Sequence, residues 1–180
     1  MPSKSRALAR KEDRVGRERA RHVDVFARQV ADRRADDVQF VTVAATPRHG
    51  LTPLVCCGES AEVFARGGSV EHVLAQVAAA FDGLADTSRA LIAYEPAWAI
   101  GEHGREPRPD ETAAVHKAPA AEWGGRVAGI LYGGSVNPGN AARLLDVPGA
   151  DGLFVGRAAW DVEGFLAVLD IGRRHAGTAA

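Results

Sequence analysis

Four short runs, "TPLVCCG", "ALIAYEP", "AGILYGG" and "ADGLFVG", constrain the fold of this chain more than any other feature. Each is almost wholly apolar, ends in Gly or Pro and is bounded by turn formers. That is the pattern of a strand buried on both faces of a parallel sheet. Segments of helical period separate the runs. Ser69 can cap a helix that brings Val70, Val73, Leu74, Val77 and Phe81 onto one face, with Gly83 near its end. Asn137 and Pro138 take the cap and first-turn positions of a second helix, closed by Val147-Pro148. Asp161 begins a last helix through Phe165, Leu166, Val168 and Leu169. The stretch "PDETAAVHKAPAAEW" starts as a good helix but carries Pro119 well inside, where a kink or a stop is predicted. Upstream lies a weaker unit, "ARHVDVF" as a strand and "DDVQFVTVAATPRHG" as a helix. Alternation of strand and helix implies right-handed βαβ units and a parallel sheet. An open doubly wound sheet and part of a barrel both satisfy it.

The 180 residues, 46% of them hydrophobic, are enough for the core of one ordinary domain. A formal net charge of -1 offers no basic stripe for nucleic acid and no surface for a membrane. No apolar run reaches the ~20 residues of a membrane span, and the first residues lack the apolar stretch of a signal peptide. Cys56 and Cys57 are adjacent, so they form no spaced disulfide framework, which fits a reducing cytoplasm. Residues 1–21 are crowded with Arg and Lys and show little apolar periodicity. They are predicted to be a basic, poorly ordered extension rather than a polyanion-binding arm. Residues 22–171 then form one domain, and residues 172–180 a C-terminal tail.

Glu95 follows the strand "LIAY" at its C-terminal end, where parallel α/β folds handle ligands. Set among Tyr94, Pro96 and Trp98, its carboxylate would be partly desolvated, which raises its pKa toward the range useful for a general base. From position alone, a strand-end Glu making a salt bridge or capping a neighbouring helix is the plainer alternative. "YGGSVNP", Tyr132 to Pro138, presents backbone N–H groups and the Ser135 hydroxyl to an anion. "FVGRAAW" repeats the arrangement with Gly156 and Arg157. Singly, each is only a glycine turn. Two in succession near the end of an α/β chain point to a phosphate site, since barrels often build one from their last two loops.

The stretches "HGLTPLVCCGES", "AYEPAWAIG", "LYGGSVNPGNAARLL" and "DGLFVGRAAW" together resemble, in wording, order and spacing, the C-terminal half of triose-phosphate isomerase, over about residues 49–171. The fold this implies is α/β, a partial or truncated TIM (β/α)8 barrel of parallel strands with alternating helices. A complete barrel takes ~250 residues, and counterparts of the family's first three strands are missing from this reading. The resemblance also assigns roles. Glu95 matches the glutamate that moves a proton between adjacent substrate carbons, and "PAWAIGEHG" matches a mobile lid in which Gly101 donates a backbone N–H. Ser135 matches the serine of the phosphate loop, and Gly156 with Arg157 falls where the family has two glycines donating N–H groups. The implied partner is a small phosphorylated sugar, bound without metal or cofactor. The implied reaction interconverts glyceraldehyde 3-phosphate and dihydroxyacetone phosphate, in cytoplasmic glycolysis and gluconeogenesis.

The chain also departs from the family. The family's Asn-x-Lys strand has no match, since Lys4, Lys11 and Lys117 all sit in other contexts. Its neutral histidine, in a His-x-Glu-Arg-Arg setting, aligns in one of two ways. Val30–Arg34 ("VADRR") keeps an acid and both arginines but puts Val30 at the histidine position, whereas His22–Asp24 ("HVD") keeps the histidine and loses the arginines. The first alignment is preferred. His49, His72, His103, His116 and His175 are predicted to face solvent. The lid reads Glu102-His103-Gly104 where Thr-Gly-Lys is common, and Arg157 stands for a glycine. Two alternatives follow: an isomerase of a four-carbon ketose phosphate such as erythrulose phosphate, and an inactive truncated homologue that keeps a phosphate site. Open sheet edges would invite a homodimer.

Overall fold

The structure, a computed structural model, describes residues 50–100 and 104–178. The basic extension, the weak strand and helix upstream, both histidine alignments, His49, His103 and Gly101 lie outside the described residues.

Each of the four apolar runs is a strand: β1 (Leu54–Cys57), β2 (Leu91–Tyr94), β3 (Gly129–Tyr132) and β4 (Gly152–Leu153). All pairings are parallel, in the order β1-β2-β3-β4. Between and after them come α1 (Ala61–Ala65), α2 (Ser69–Phe81), α3 (Pro109–Trp123), α4 (Ala141–Leu145) and α5 (Val162–Thr178). The register aligns Val55 with Ile92 and Ile92 with Ile130, and likewise Cys57 with Tyr94 and Tyr94 with Tyr132. These two rows therefore lie on one sheet face. They pack against Val73, Val77 and Phe81 of α2, Val115 and Trp123 of α3, Leu144 of α4 and Val168 of α5. A doubly wound sheet would reverse its strand order and carry helices on both faces. Strands in sequential order with α2, α3, α4 and α5 all on one face have the winding of a barrel wall. Among the described residues, no helix is long and apolar enough to cross a membrane.

The opposite face is not covered evenly. Leu54 is 40% exposed and Cys56 is exposed, whereas Ala93 is buried. Burial on both faces therefore holds for β2 and fails for β1. Cys57, one residue on from Cys56, turns to the helices; its thiol donates to the Ala93 carbonyl at 3.7 Å, and burial pushes its pKa up to about 12.

Local chemistry moves several predicted boundaries. Ser60, not singled out in the sequence, caps α1 by accepting from the Val63 N–H at 3.4 Å. The helix ends when Gly67 N–H bonds to Phe64 O and Gly68 N–H to Val63 O, the paired bonds of a Schellman turn. This turn leads straight into α2, so Gly68 takes the cap position and Ser69 becomes the first, buried residue of the helix. α3 runs unbroken through Pro119. A proline inside a helix costs about 3 kcal/mol. Burying Val115 and Trp123 on the same helix offsets that cost, at about 1.5–3 kcal/mol for a fully buried large apolar side chain. α5 continues to Thr178, so residues 172–178 are helical where a tail was predicted.

His116 is the clearest reversal. It is fully buried on α3, 6.1 Å from the Tyr94 ring and 5.5 Å from the Tyr132 ring by centroid. Thr112, Val115, His116, Pro119 and Trp123 share the spacing of one helical stripe, and that stripe faces the sheet. Burial lowers its pKa, while the Gly149 backbone and the Asp151 carboxylate oppose only part of the shift. Neither ring nitrogen makes a hydrogen bond of good geometry. The neutral ring is thus the folded form, and the stability it confers is complete above the unfolded histidine value of about 6.5 and lost as pH falls below it. The wild-type melting temperature is expected to fall more steeply between about pH 7 and pH 5 than that of a His116→Leu variant. Parallel curves would remove His116 as the cause.

Candidate active site

The parallel register brings the strand ends level. The Glu95 N–H donates to the Cys57 carbonyl at 2.7 Å, Gly133 N–H to Tyr94 O at 2.8 Å, and Phe154 N–H to Tyr132 O at 2.8 Å. Because successive strand residues alternate, Tyr94 turns to the helices and Glu95 turns away from them. Two glycines make room for Glu95. A Cβ on Gly58 would stand 1.7 Å from the Glu95 carbonyl oxygen, and a Cβ on Gly133 would stand 2.4 Å from Glu95 Cγ. Any side chain at position 133 would have to displace that of Glu95. The carboxylate is half-buried, and the resulting desolvation raises its pKa above the ordinary value.

Tyr94 and Trp98 were expected around Glu95, but they serve a different carboxylate. Glu59 is fully buried, and its Oε1 accepts from the Trp98 indole N–H at 2.9 Å and the Tyr94 hydroxyl at 3.3 Å. Trp98 is held on both sides: the Phe64 ring lies 4.6 Å away, and the Arg105 guanidinium is 4.6 Å from its centroid. Arg105 in turn forks onto Glu111 with two bonds of 2.7 Å. Glu59 was legible by the logic applied to Glu95. It too is a carboxylate just past an apolar strand, in "VCCGES".

Beside Glu95 opens a cleft of about 590 Å³, lined among others by Ser135, Asn137, Gly156, Arg157 and Trp160. Ser135 has φ 51, a left-handed backbone that few non-glycine residues adopt. Its carbonyl accepts from the side-chain amides of Asn137 at 3.1 Å and Asn140 at 3.0 Å, which hold the strained turn. Its hydroxyl donates to the Ala99 carbonyl at 2.5 Å. Asn137 was expected to cap a helix; instead its Oδ1 accepts from Gly139 N–H at 2.9 Å within a turn, and α4 begins only at Ala141. Gly156 leads into a short 3-10 turn, Arg157–Ala159. Glu95, Ser135, Gly156 and Arg157 thus share one cleft, and Gly101 lies outside the described residues.

Comparison with known proteins adds a family. Residues 26–172 match the family described as Triosephosphate isomerase. An L-erythrulose-1-phosphate isomerase from Mycolicibacterium smegmatis is 48% identical over 135 residues, 74% of this chain and 51% of that protein. A triosephosphate isomerase from Streptococcus agalactiae is 46% identical over 131 residues, 68% of this chain and 52% of that protein. The crystal structure of triosephosphate isomerase from Bartonella henselae superposes with a TM-score of 0.67 at 28% identity, over 77% of this chain and 58% of that one. The chain spans about half the length of the curated relatives it matches.

The seating of Glu95 is open to direct measurement. By carbon-detected NMR titration its carboxyl is expected above the usual value of about 4.3, and Gly133→Ala, which pushes the side chain toward water, is expected to bring it back toward that value. A wild-type Glu95 at or below the usual value would show that the cleft does not desolvate it.

Proposed function

Because the chain belongs to the triosephosphate isomerase family, we propose that it is an isomerase of small sugar phosphates in which Glu95 carries a proton between neighbouring carbons. The observation behind this reading is a desolvated carboxylate, raised in pKa, in the same cleft as the glycine-rich turns at Ser135 and Gly156. In the proposed reaction the Glu95 carboxylate takes the proton from the carbon beside the substrate carbonyl. The C–H electron pair becomes the double bond of an enediolate, and the carbonyl pair moves onto oxygen. The hydroxyl proton passes from the oxygen of the deprotonated carbon to the former carbonyl oxygen, and return of the first proton to the former carbonyl carbon completes the shift, so nothing is oxidised or reduced overall. A raised pKa makes the carboxylate a better match for this weak carbon acid. The Ser135 and Gly156 turns would face the substrate phosphate.

Triose phosphate is the first substrate reading, with glyceraldehyde 3-phosphate and dihydroxyacetone phosphate as the pair interconverted. A second reading, L-erythrulose 1-phosphate, is favoured by the relative that is 48% identical. An enediolate oxygen also needs a donor or cation placed in advance. Among the described cleft residues Arg157 is the one cation, and Lys117 is exposed on α3. Losing one preorganised donor costs ~10²–10³ in rate, so turnover by this chain alone is expected to be slow.

A coupled assay on both substrates, run beside Glu95→Gln, tests the reading. Slow turnover of triose phosphate is expected, lowered a further ~10²–10⁴ in the variant. Equal rates in wild type and variant would remove Glu95 as the base. Turnover of L-erythrulose 1-phosphate alone would select the second substrate. Ligand binding with no turnover of either would leave a phosphate site without catalysis.

A further inference from the structure

The last helix is apolar on two sides. Gly164, Val168, Ile171 and His175 follow one another at helical spacing and turn inward. Val168 and Ile171 join the core, a Cβ on Gly164 would stand 2.1 Å from the Ala158 carbonyl oxygen, and His175 meets Asp146 at the end of α4 at 3.0 Å. Val162, Phe165, Leu166 and Leu169, also at helical spacing, are 74%, 51%, 53% and 46% exposed. Large apolar side chains standing singly in water are ordinary, whereas four in one stripe mark an interaction surface. Their spacing, i, i+3, i+4 and i+7, is that of a face that packs against a second helix. None of the four lines the cleft, so what covers them stands apart from the chemistry proposed for Glu95.

The charges around the stripe say which helix fits it. Glu163 flanks its N-terminal end, and Arg173, four residues past Leu169, continues it toward the C-terminus. Asp170 and Arg174 pair with each other within the helix at 3.0 Å. Glu163 and Arg173 are exposed and form no ion pair among the described residues. An acid at one end and a base at the other make the helix complementary to an antiparallel copy of itself, and the two helix dipoles then oppose each other. The register that sets Leu166 of one copy against Leu169 of the other also sets Glu163 against Arg173, to within one residue. A parallel pair would instead set Glu163 on Glu163 and Arg173 on Arg173.

We propose that a second copy of this chain covers the stripe, with the two α5 helices antiparallel about a twofold axis. In such an isologous contact every pair occurs twice, so Leu166 meets Leu169 and Glu163 meets Arg173 on both sides of the axis. The apolar stripe supplies the affinity, and the two ion pairs at its ends fix direction and register. One pair of 17-residue helices is a smaller contact than the ~1,600 Å² of a standard interface, so the dimer is reversible and dissociates at roughly micromolar concentration.

The test is sedimentation velocity of the full chain from about 1 to 100 µM. Wild type is expected to pass from monomer to dimer over that range. Leu166→Glu, which puts a charge at the centre of the stripe, is expected to raise the dissociation constant by ~10-fold or more. Glu163→Arg and Arg173→Glu are each expected to weaken the dimer by ~5-fold or more, because each sets like charges together twice, and the double variant is expected to regain wild-type affinity within about two-fold. Leu166→Glu should melt like wild type at concentrations where both are monomeric, since Leu166 faces water there. A lower melting temperature for the monomeric variant would show that the stripe is covered from within the chain and would overturn the proposal. A wild type that stays monomeric throughout would overturn it too, leaving the stripe to a different polypeptide. A dimer that survives Leu166→Glu would place the contact on another surface. Weakening in both single charge variants without recovery in the double would overturn the antiparallel register.

Discussion

The in-phase parallel pairing of β1, β2 and β3 is the constraint on which the site depends. Leu54, Leu91 and Gly129 start level, so Cys57, Tyr94 and Tyr132 end level. The residues that follow emerge at one edge of the sheet, and Glu59, Glu95, Gly133 and Ser135 are all among them. A slip of one residue in β2 would exchange Tyr94 with Glu95 across the sheet. The carboxylate would then enter the apolar layer and the phenol would enter the cleft. The helices enforce the register, because only one phase puts Ile92 and Tyr94 against α2 and α3.

Two carboxylates at that edge, one past the end of β1 and one past the end of β2, are given different environments. Glu59 is sealed in and hydrogen-bonded by Tyr94 and Trp98. Glu95 sits one residue past Tyr94 on the other face, half-covered and without those donors. One carboxylate is thus held by donated hydrogen bonds, while the other is only desolvated, which raises its pKa. The turn at Ser135 adds strain of about 1–3 kcal/mol, which persists because two asparagine amides over-determine it.

The strands were legible because continuous apolar runs ending in glycine are hard to place anywhere but in a buried parallel sheet. The site edge was legible for the same reason, since the chemistry lies just beyond each run. Caps were less so: Ser69 and Asn137 are good capping residues by type, but a Schellman turn and an asparagine turn upstream of each helix moved the true start. Pro119 shows how a local rule yields to burial. His116 was misplaced by reading residue type in isolation when its spacing from Thr112, Val115 and Trp123 put it on the inward stripe. What the sequence withheld at the cleft is hydrogen-bond commitment. Whether the Ser135 hydroxyl is spent on Ala99 depends on backbone 36 residues away.

The adjacent cysteines carry the strand's alternation into a different observable. Cys56 is open to solvent, and Cys57, next in sequence, is enclosed with its thiol turned to the Ala93 carbonyl. Side chains that project to opposite faces cannot join each other in a disulfide without breaking the strand. The pair is therefore a built-in stoichiometric gauge: an alkylating reagent counts one thiol while β1 is paired and two once it has come away from the sheet.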